Sequence, residues 1–158
     1  MTNKTKPIKN KKKFLILSLM KDKEIIHGVY FMAIERIPLQ TDNTFCGVYV
    51  QTNKQVIKAL IDDYNLVHEK FGVIMFQPAH IYNYSGLVIE SIEYGREIDK
   101  NLVPSKKSDI SLDTCPHIII NLETNAGLIQ IVIFNKHDGS YPHHAYIAWD
   151  DEYKYQVL

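Results

Sequence analysis

Residues 135–149 carry the densest group of side chains that could do chemistry. Three of the chain's seven histidines and one aspartate fall in this stretch, as His137, Asp138, His143 and His144. Histidine nitrogens and carboxylate oxygens are ligands of zinc, iron and manganese. A water on such a metal can be activated for hydrolysis. His137, Asp138 and either His143 or His144 could therefore form the centre of a metal-dependent hydrolase.

The spacing of these residues leaves three interpretations open. In a strand, His143 and His144 would point to opposite faces, so they could bind one ion together only from a looped backbone. Asp138 and Gly139 are typical turn residues, and an ordinary turn would leave the histidines along an exposed rim. The stretch is therefore a metal site, a pocket for another ligand, or a turn with no binding role.

Aromatic residues follow the histidines closely. Tyrosine and tryptophan stack on planar ligands and dominate the binding energy of many protein interfaces. In a strand at 144–149, His144, Tyr146 and Ala148 share one face, and Trp149 lies on the other, so one face must belong to the core. The exposed remainder is the best predicted binding surface for a ligand or partner. Its candidate residues are His137, Asp138, Tyr141, His143, His144, Tyr146 and Trp149.

Common catalytic signatures are missing from the sequence. It contains no GxGxxG or GxxxxGK[ST] motif, which argues against a standard dinucleotide or nucleotide site. It also contains no GxSxG elbow and no HExxH helix. No catalytic residue is assigned and the cofactor stays unknown, while a protein without enzymatic activity is favoured.

The charges are unevenly distributed. The chain has 158 residues, with 18 basic and 18 acidic side chains. Residues 1–13 hold six of the lysines and no acid, which predicts a disordered basic arm ahead of a single domain at 14–158. Clustered lysines can bind phosphates by releasing counterions, so a nucleic-acid-associated protein is an alternative. The arm lacks the arginines and aromatic residues that bind bases. Its lysines are Lys4, Lys6, Lys9, Lys11, Lys12 and Lys13.

The cysteine content and the apolar runs favour a cytoplasmic location. Cys46 and Cys115 are the only cysteines, and they lack CxxC spacing. Two isolated thiols suit a reducing compartment, although a single disulfide stays open. Residues 14–20 are apolar, but no small-residue cleavage site follows them, so a first strand is favoured over a secretory signal. No run reaches the roughly 18 apolar residues of a membrane span.

One long helix is expected at residues 53–71. Thr52 and Gln55 have the spacing of a capping box, and Gly72 suits the position after a helix. Asp62 would lie on the polar side of this helix. The apolar residues recur at helical spacing: Val56, Ile57, Leu60, Ile61, Tyr64, Val67 and Phe71.

The rest of the chain has the pattern of strands. Alternation, β-branched residues and turn residues predict several hairpins. Residues 94–116 are expected to form a long loop, with a helical turn near 98–103. The predicted fold is a single α+β domain, a mostly antiparallel sheet or curled half-barrel with one major helix. The expected strands are 14–20, 25–36, 45–51, 73–77, 86–93, 118–123, 128–134, 144–149 and 153–157.

These observations favour a small cytoplasmic binding protein without catalysis. It would recognise a protein partner, or sequester a small polar ligand, through residues 135–149. The metal-dependent hydrolase and the nucleic-acid-associated protein are the alternatives.

Overall fold

The computed structural model describes residues 22–36, 44–63, 70–104, 112–136 and 142–158, with the backbone alone for residues 32–36 and 113. These residues form nine strands and one short 3₁₀ turn at Leu112–Thr114. The strands are β1 (Glu24–Arg36), β2 (Thr44–Thr52), β3 (Val56–Asp62), β4 (Lys70–Phe76), β5 (Val88–Gly95), β6 (His117–Thr124), β7 (Gly127–Lys136), β8 (His144–Trp149) and β9 (Glu152–Val157).

The predicted α+β class is wrong, because the described residues form an almost entirely antiparallel β structure. The main error is the helix expected at 53–71. Its described part contains a turn, the whole of β3 and the first residues of β4. Val56, Ile57 and Ile61 are β-branched and pack well on a pleated surface, and β3 pairs with β2 on one side and β8 on the other. Tertiary pairing therefore outweighs the helical spacing.

The capping-box residues close a hairpin turn between β2 and β3. Thr52 Oγ1 accepts hydrogen bonds from the backbone amides of Lys54 (3.1 Å) and Gln55 (2.9 Å), as the side chain of an N-cap does. The Thr52 amide, however, donates to the Gln55 carbonyl oxygen at 2.9 Å, which reverses the chain. The Thr52 hydroxyl also donates to Glu24 Oε1 at 2.8 Å. The same local hydrogen bonds thus serve a turn instead of a helix start.

The nine strands follow the order β4-β7-β6-β5-β1-β2-β3-β8-β9. We call β4-β7-β6-β5 sheet A and β1-β2-β3-β8-β9 sheet B. The two are joined where Glu24 and Ile25 of β1 pair with Ile89 and Val88 of β5. Strand β4 of sheet A also contacts β2 and β3 of sheet B, so the continuous sheet folds back on itself.

The main core lies between the two sheets. It is rich in isoleucine and valine, each contributing about 1.5–3 kcal/mol when fully buried. Strands β6 and β7 supply the sheet A side, and β2, β3 and β8 supply much of the sheet B side. Fully buried members include Val48, Val50, Ile57, Ala59, Ile61, Ile120, Leu122, Ile129, Ile131, Ile133 and Ala145.

The segment between β5 and β6 covers the outer face of sheet A. Ile98, Leu102 and Val103 pack there in a second apolar cluster. Buried Gln130 holds this segment, because its side chain accepts a hydrogen bond from the Asp99 amide (2.8 Å) and donates one to the Glu97 carbonyl oxygen (3.1 Å). A hydrogen-bonded turn, and no helix, occupies the described residues near 98–103.

Several strand predictions are confirmed. Strands are present where they were expected at 25–36, 45–51, 118–123, 128–134, 144–149 and 153–157, and within a few residues of 73–77 and 86–93. The expected strand at 14–20 and the basic arm at 1–13 lie outside the described residues. Within the described ranges, no helix has the length and apolar character needed to cross a membrane.

Candidate functional site

The seven predicted site residues divide into three groups. His137, Asp138 and Tyr141 lie outside the described residues. His144 and Tyr146 lie on the outer face of β8. His143 is buried immediately before β8, and Trp149 packs against the core between the sheets.

The alternation expected for β8 is confirmed. Ala145 and Ile147 are buried in the core between the sheets, and Trp149 packs against the same core. Tyr146 packs on the opposite side of sheet B, and His144 is partly exposed. The strand therefore presents different predicted site residues to two different surfaces.

His143 and His144 meet at a buried carboxylate. Asp62 ends β3 and is 2% exposed, and His143, immediately before β8, is also 2% exposed. Asp62 Oδ1 accepts a hydrogen bond from His143 Nδ1 at 2.5 Å. Asp62 Oδ2 accepts from both the backbone amide (3.1 Å) and Nδ1 (3.0 Å) of His144. Both rings therefore face the carboxylate with Nδ1. We call these three residues the Asp62 cluster.

Aromatic rings hold both imidazoles in place. Phe71 of β4 stacks on His143, with ring centroids 4.0 Å apart. Tyr155 of β9 stacks on His144 at 5.2 Å. The Asp62 cluster therefore links β3 and β8 directly and contacts β4 and β9 through ring stacking.

The Asp62 cluster has one element of a catalytic site, a carboxylate that orients an imidazole. A neighbouring thiol does not supply a nucleophile. Burial raises the pKa of the Cys46 thiol, and the negative charges of Asp63 and Asp62 raise it further. A thiol with a raised pKa is protonated and unreactive at neutral pH. In the described residues, the Asp62 cluster connects neighbouring strands.

A metal centre finds no support in the described part of the chain. No group of three histidine, cysteine, aspartate or glutamate side chains there has the arrangement needed to hold a metal ion. Two members of the predicted ligand set, His137 and Asp138, lie outside that part. The metal-dependent hydrolase therefore stays an untested prediction.

Sequence reasoning missed Asp62 as a partner of the histidines. The expected helix placed it on a solvated polar face, whereas the structure places it at the buried end of β3. One signal was available. Asp62 directly follows the apolar run Ala59–Ile61, and if this run is a strand, Asp62 lies on the same face as Leu60. Leu60 is fully buried.

Five tyrosines from four strands lie on the outer face of sheet B. Tyr30 of β1 is directly opposite Tyr49 of β2, and Tyr146 of β8 is directly opposite Tyr155 of β9. Residues directly opposite on antiparallel strands share a face. We call this surface the tyrosine face; its members are Tyr30, Tyr49, Tyr146, Tyr153 and Tyr155.

Three rings of the tyrosine face pack against buried residues beneath it. Phe45 and Leu60 are almost completely buried, and Tyr49, Tyr146 and Tyr155 pack around them. Stacking orders the rings further, with Tyr146 and Tyr153 centroids 6.0 Å apart. Lys58 lies over the Tyr49 ring, with its Nζ 5.7 Å from the centroid. Packing or stacking contacts therefore hold four of the five rings in position.

An acidic turn borders the tyrosine face. Asp150, Asp151 and Glu152 connect β8 to β9, and they line a recess of about 280 Å³ together with Tyr146 and Tyr153. All three acidic residues are exposed.

Gln55 holds this acidic turn in position. Its Nε2 donates to Asp150 Oδ1 (2.8 Å), and its Oε1 accepts from the Asp150 amide (2.6 Å). The same Nε2 donates to Glu24 Oε1 at 2.9 Å. The side chain thus connects three elements: β1, the β2–β3 turn and the β8–β9 turn.

Comparison with known proteins identifies no relative: no protein-family model, curated protein or solved structure matches the chain.

Proposed function

We propose that this chain is a non-enzymatic recognition protein that binds a protein partner through the tyrosine face. The observation that carries the proposal is the convergence of five tyrosines from four strands on one sheet surface. Tyrosine supplies a large contact area for little loss of conformational entropy, and tyrosine is enriched among the residues that dominate interface energies.

The exposure of the rings supports a protein partner. Tyr30 is 54% exposed and Tyr153 is 61% exposed, although both are large aromatic side chains. An extended row of partly exposed rings across several strands suits a broad protein surface better than a small molecule, which concave pockets bury more completely. Exposed aromatic rings gathered from several strands on one sheet face are typical of interaction sites.

The acidic turn supports a partner with basic residues. The carboxylates of Asp150, Asp151 and Glu152 lie at the border of the tyrosine face, beside Tyr146 and Tyr153. The recess is lined by three carboxylates and one ammonium, that of Lys54, so a lysine or arginine of the partner would meet a net negative charge and aromatic rings, and both attract a cation. Binding would therefore weaken as salt screens the charges.

A cytoplasmic location belongs to the same proposal. Cys46 and Cys115 are free thiols, as expected for a protein that works in a reducing compartment. The raised pKa of each thiol, caused mainly by burial, would keep both in the unreactive protonated form.

A random peptide library displayed on phage tests the proposal with a defined probe. Immobilised protein should enrich peptides that combine aromatic or aliphatic residues with lysine or arginine. The double variant Tyr30→Ser, Tyr153→Ser should bind a selected peptide about tenfold more weakly, because it removes exposed rings of the hot-spot type.

Tyr82→Ser is the matched control, because Tyr82 is 91% exposed and lies outside the tyrosine face. This variant should bind the selected peptides like the wild type. The proposal fails if the library yields no binder, or if the double variant and the control bind the peptides with the same affinity.

A further inference from the structure

A second aromatic recess lies on the other side of the β8–β9 hairpin. It has a volume of about 250 Å³ and is lined by Tyr94, Ile147, Trp149, Glu152, Tyr153 and Lys154. The rings of Tyr94 and Trp149 form adjoining walls, with centroids 4.8 Å apart and planes at 50°. We call this recess the Tyr94–Trp149 pocket.

A cation already lies in contact with one wall of the pocket. The Lys154 ammonium is above the Tyr94 ring, with its Nζ 4.4 Å from the ring centroid. This distance is well inside the roughly 6 Å range of a cation–π interaction. The lysine side chain is exposed and extends from an edge strand, so it can leave the ring without disturbing the core.

Negative charge accompanies the rings. Glu152 lines the same pocket and lies near enough to Tyr94 for its charge to raise the pKa of the phenol, in addition to the larger effect of burial. A cation in the pocket would therefore meet the negative face of the Tyr94 ring and the carboxylate of Glu152 together.

We propose that the Tyr94–Trp149 pocket binds a small quaternary ammonium group, in place of the Lys154 ammonium. Two aromatic walls and one carboxylate are the features that recognise such cations. The pocket is smaller than the roughly 300–1,000 Å³ of sites for drug-sized ligands, so it suits a compact head group. This pocket adjoins the proposed partner surface and shares Tyr153 with it, but the walls formed by Tyr94 and Trp149 do not belong to the tyrosine face.

Lys154 accounts for the selectivity of the pocket. A permanently charged head group with methyl substituents is weakly hydrated, so it loses little hydration free energy when it enters an aromatic recess. The lysine ammonium is strongly hydrated and loses more. A quaternary ammonium can therefore displace the tethered lysine, and removing the lysine should improve binding.

Trp149 makes the proposal directly measurable, because it is the only tryptophan of the chain. Choline is titrated into the full-length protein at constant ionic strength while Trp149 fluorescence is recorded. The expected result is a saturable change in emission. The neutral isostere 3,3-dimethyl-1-butanol, which has the same shape without the charge, should bind about tenfold more weakly, consistent with a desolvated cation–π contact.

Three variants separate the contributions to binding. Tyr94→Leu should weaken choline binding about tenfold, and Lys154→Ala should strengthen it several-fold. Glu152→Gln, at an exposed position that does not threaten folding, should weaken binding about threefold. Tyr30→Ser is the matched control; it alters the tyrosine face and should leave the choline titration unchanged.

Several results would overturn the proposal. They are an emission change without saturation, equal binding of choline and its neutral isostere, or unchanged affinity in both the Lys154→Ala and Glu152→Gln variants. Because the Tyr30→Ser variant changes the proposed partner surface alone, failure of the choline site and failure of the partner proposal are distinguishable.

Discussion

Replacing Asp62 with asparagine should destabilise the protein far more than any exposed carboxylate would. Asp62 is 2% exposed and accepts three hydrogen bonds from His143 and His144. Hydrogen bonds to charged groups contribute about 1.5–3 kcal/mol each, but they are not additive. Leaving a buried donor or acceptor without its partner costs about 1–3 kcal/mol for each group. Asparagine keeps the shape and one acceptor oxygen but cannot accept all three hydrogen bonds, so we expect a loss of about 3 kcal/mol.

Urea unfolding followed by Trp149 fluorescence and far-UV circular dichroism measures this loss. With a slope of about 2 kcal/mol per molar urea, typical of domains of this size, the midpoint should fall by about 1.5 M. A total stability of about 5–15 kcal/mol leaves the variant folded in water. The slope itself should not change, since the folded state buries the same surface.

Asp63→Asn is the matched control for Asp62→Asn. Asp63 is the next residue and carries the same charge, but it is exposed. Its substitution should change stability by no more than about 0.5 kcal/mol. If Asp62→Asn and Asp63→Asn shift the urea midpoint equally, the Asp62 cluster does not stabilise the fold and the reasoning is wrong.

Four further predictions concern Asp151, Gly47 and Cys46. Asp151→Gly should stabilise the protein by up to about 1 kcal/mol in urea unfolding, because Asp151 has a φ of 60° that glycine adopts without strain. If Asp151→Ala is as stable as Asp151→Gly, backbone strain is not the reason. Gly47→Ala should destabilise by about 3 kcal/mol or prevent folding, because a Cβ there would lie 2.2 Å from the Ala59 carbonyl oxygen; a near-normal melting temperature would refute the described β2–β3 contact. Cys46 should react with iodoacetamide slowly at neutral pH and faster only above the ordinary thiol pKa, because burial raises the pKa of this thiol. Mass spectrometry of the Cys46 peptide after alkylation at several pH values measures the reaction. A fast reaction at neutral pH would refute the prediction. The raised pKa also implies a pH dependence of stability. The contribution of Cys46 is present below the pKa of the thiol in the unfolded chain and is lost as pH rises through its pKa in the folded protein. Urea unfolding of the wild type and of Cys46→Ser at neutral and alkaline pH should detect this loss in the wild type alone.

The hairpins could be predicted because their signals are local. In β6–β7, apolar residues run on both sides of the turn at 124–127, and Gly127 adopts a φ of 120° that few other residues tolerate. In β8–β9, the acidic turn separates two runs that alternate with a period of two. Turn chemistry and alternation both involve residues within a few positions of one another.

The helix at 53–71 was predicted wrongly because its pattern is ambiguous. Apolar residues at 56, 57, 60 and 61 satisfy helical spacing, but they equally describe a strand whose two faces are both covered. In the structure Ile57 and Ile61 face the main core, while Leu60 lies under the tyrosine face. Only the pairing of β3 with two neighbouring strands decides between the alternatives, and that pairing involves residues far along the chain.

The candidate sites depend on the same distant pairings. Asp62 and His143 are 81 residues apart, and the register of β3 against β8 brings them together. Once residue 62 is assigned to a helix, its carboxylate has no reason to meet an imidazole near residue 143. The histidines themselves were identifiable from residue type, whereas their partner required the strand register. A carboxylate that directly follows an apolar run is therefore better interpreted as the acceptor of hydrogen bonds from a distant part of the chain than as part of a solvated helix face. If such a carboxylate is buried, the absence of a hydrogen-bond donor would be too unfavourable to persist.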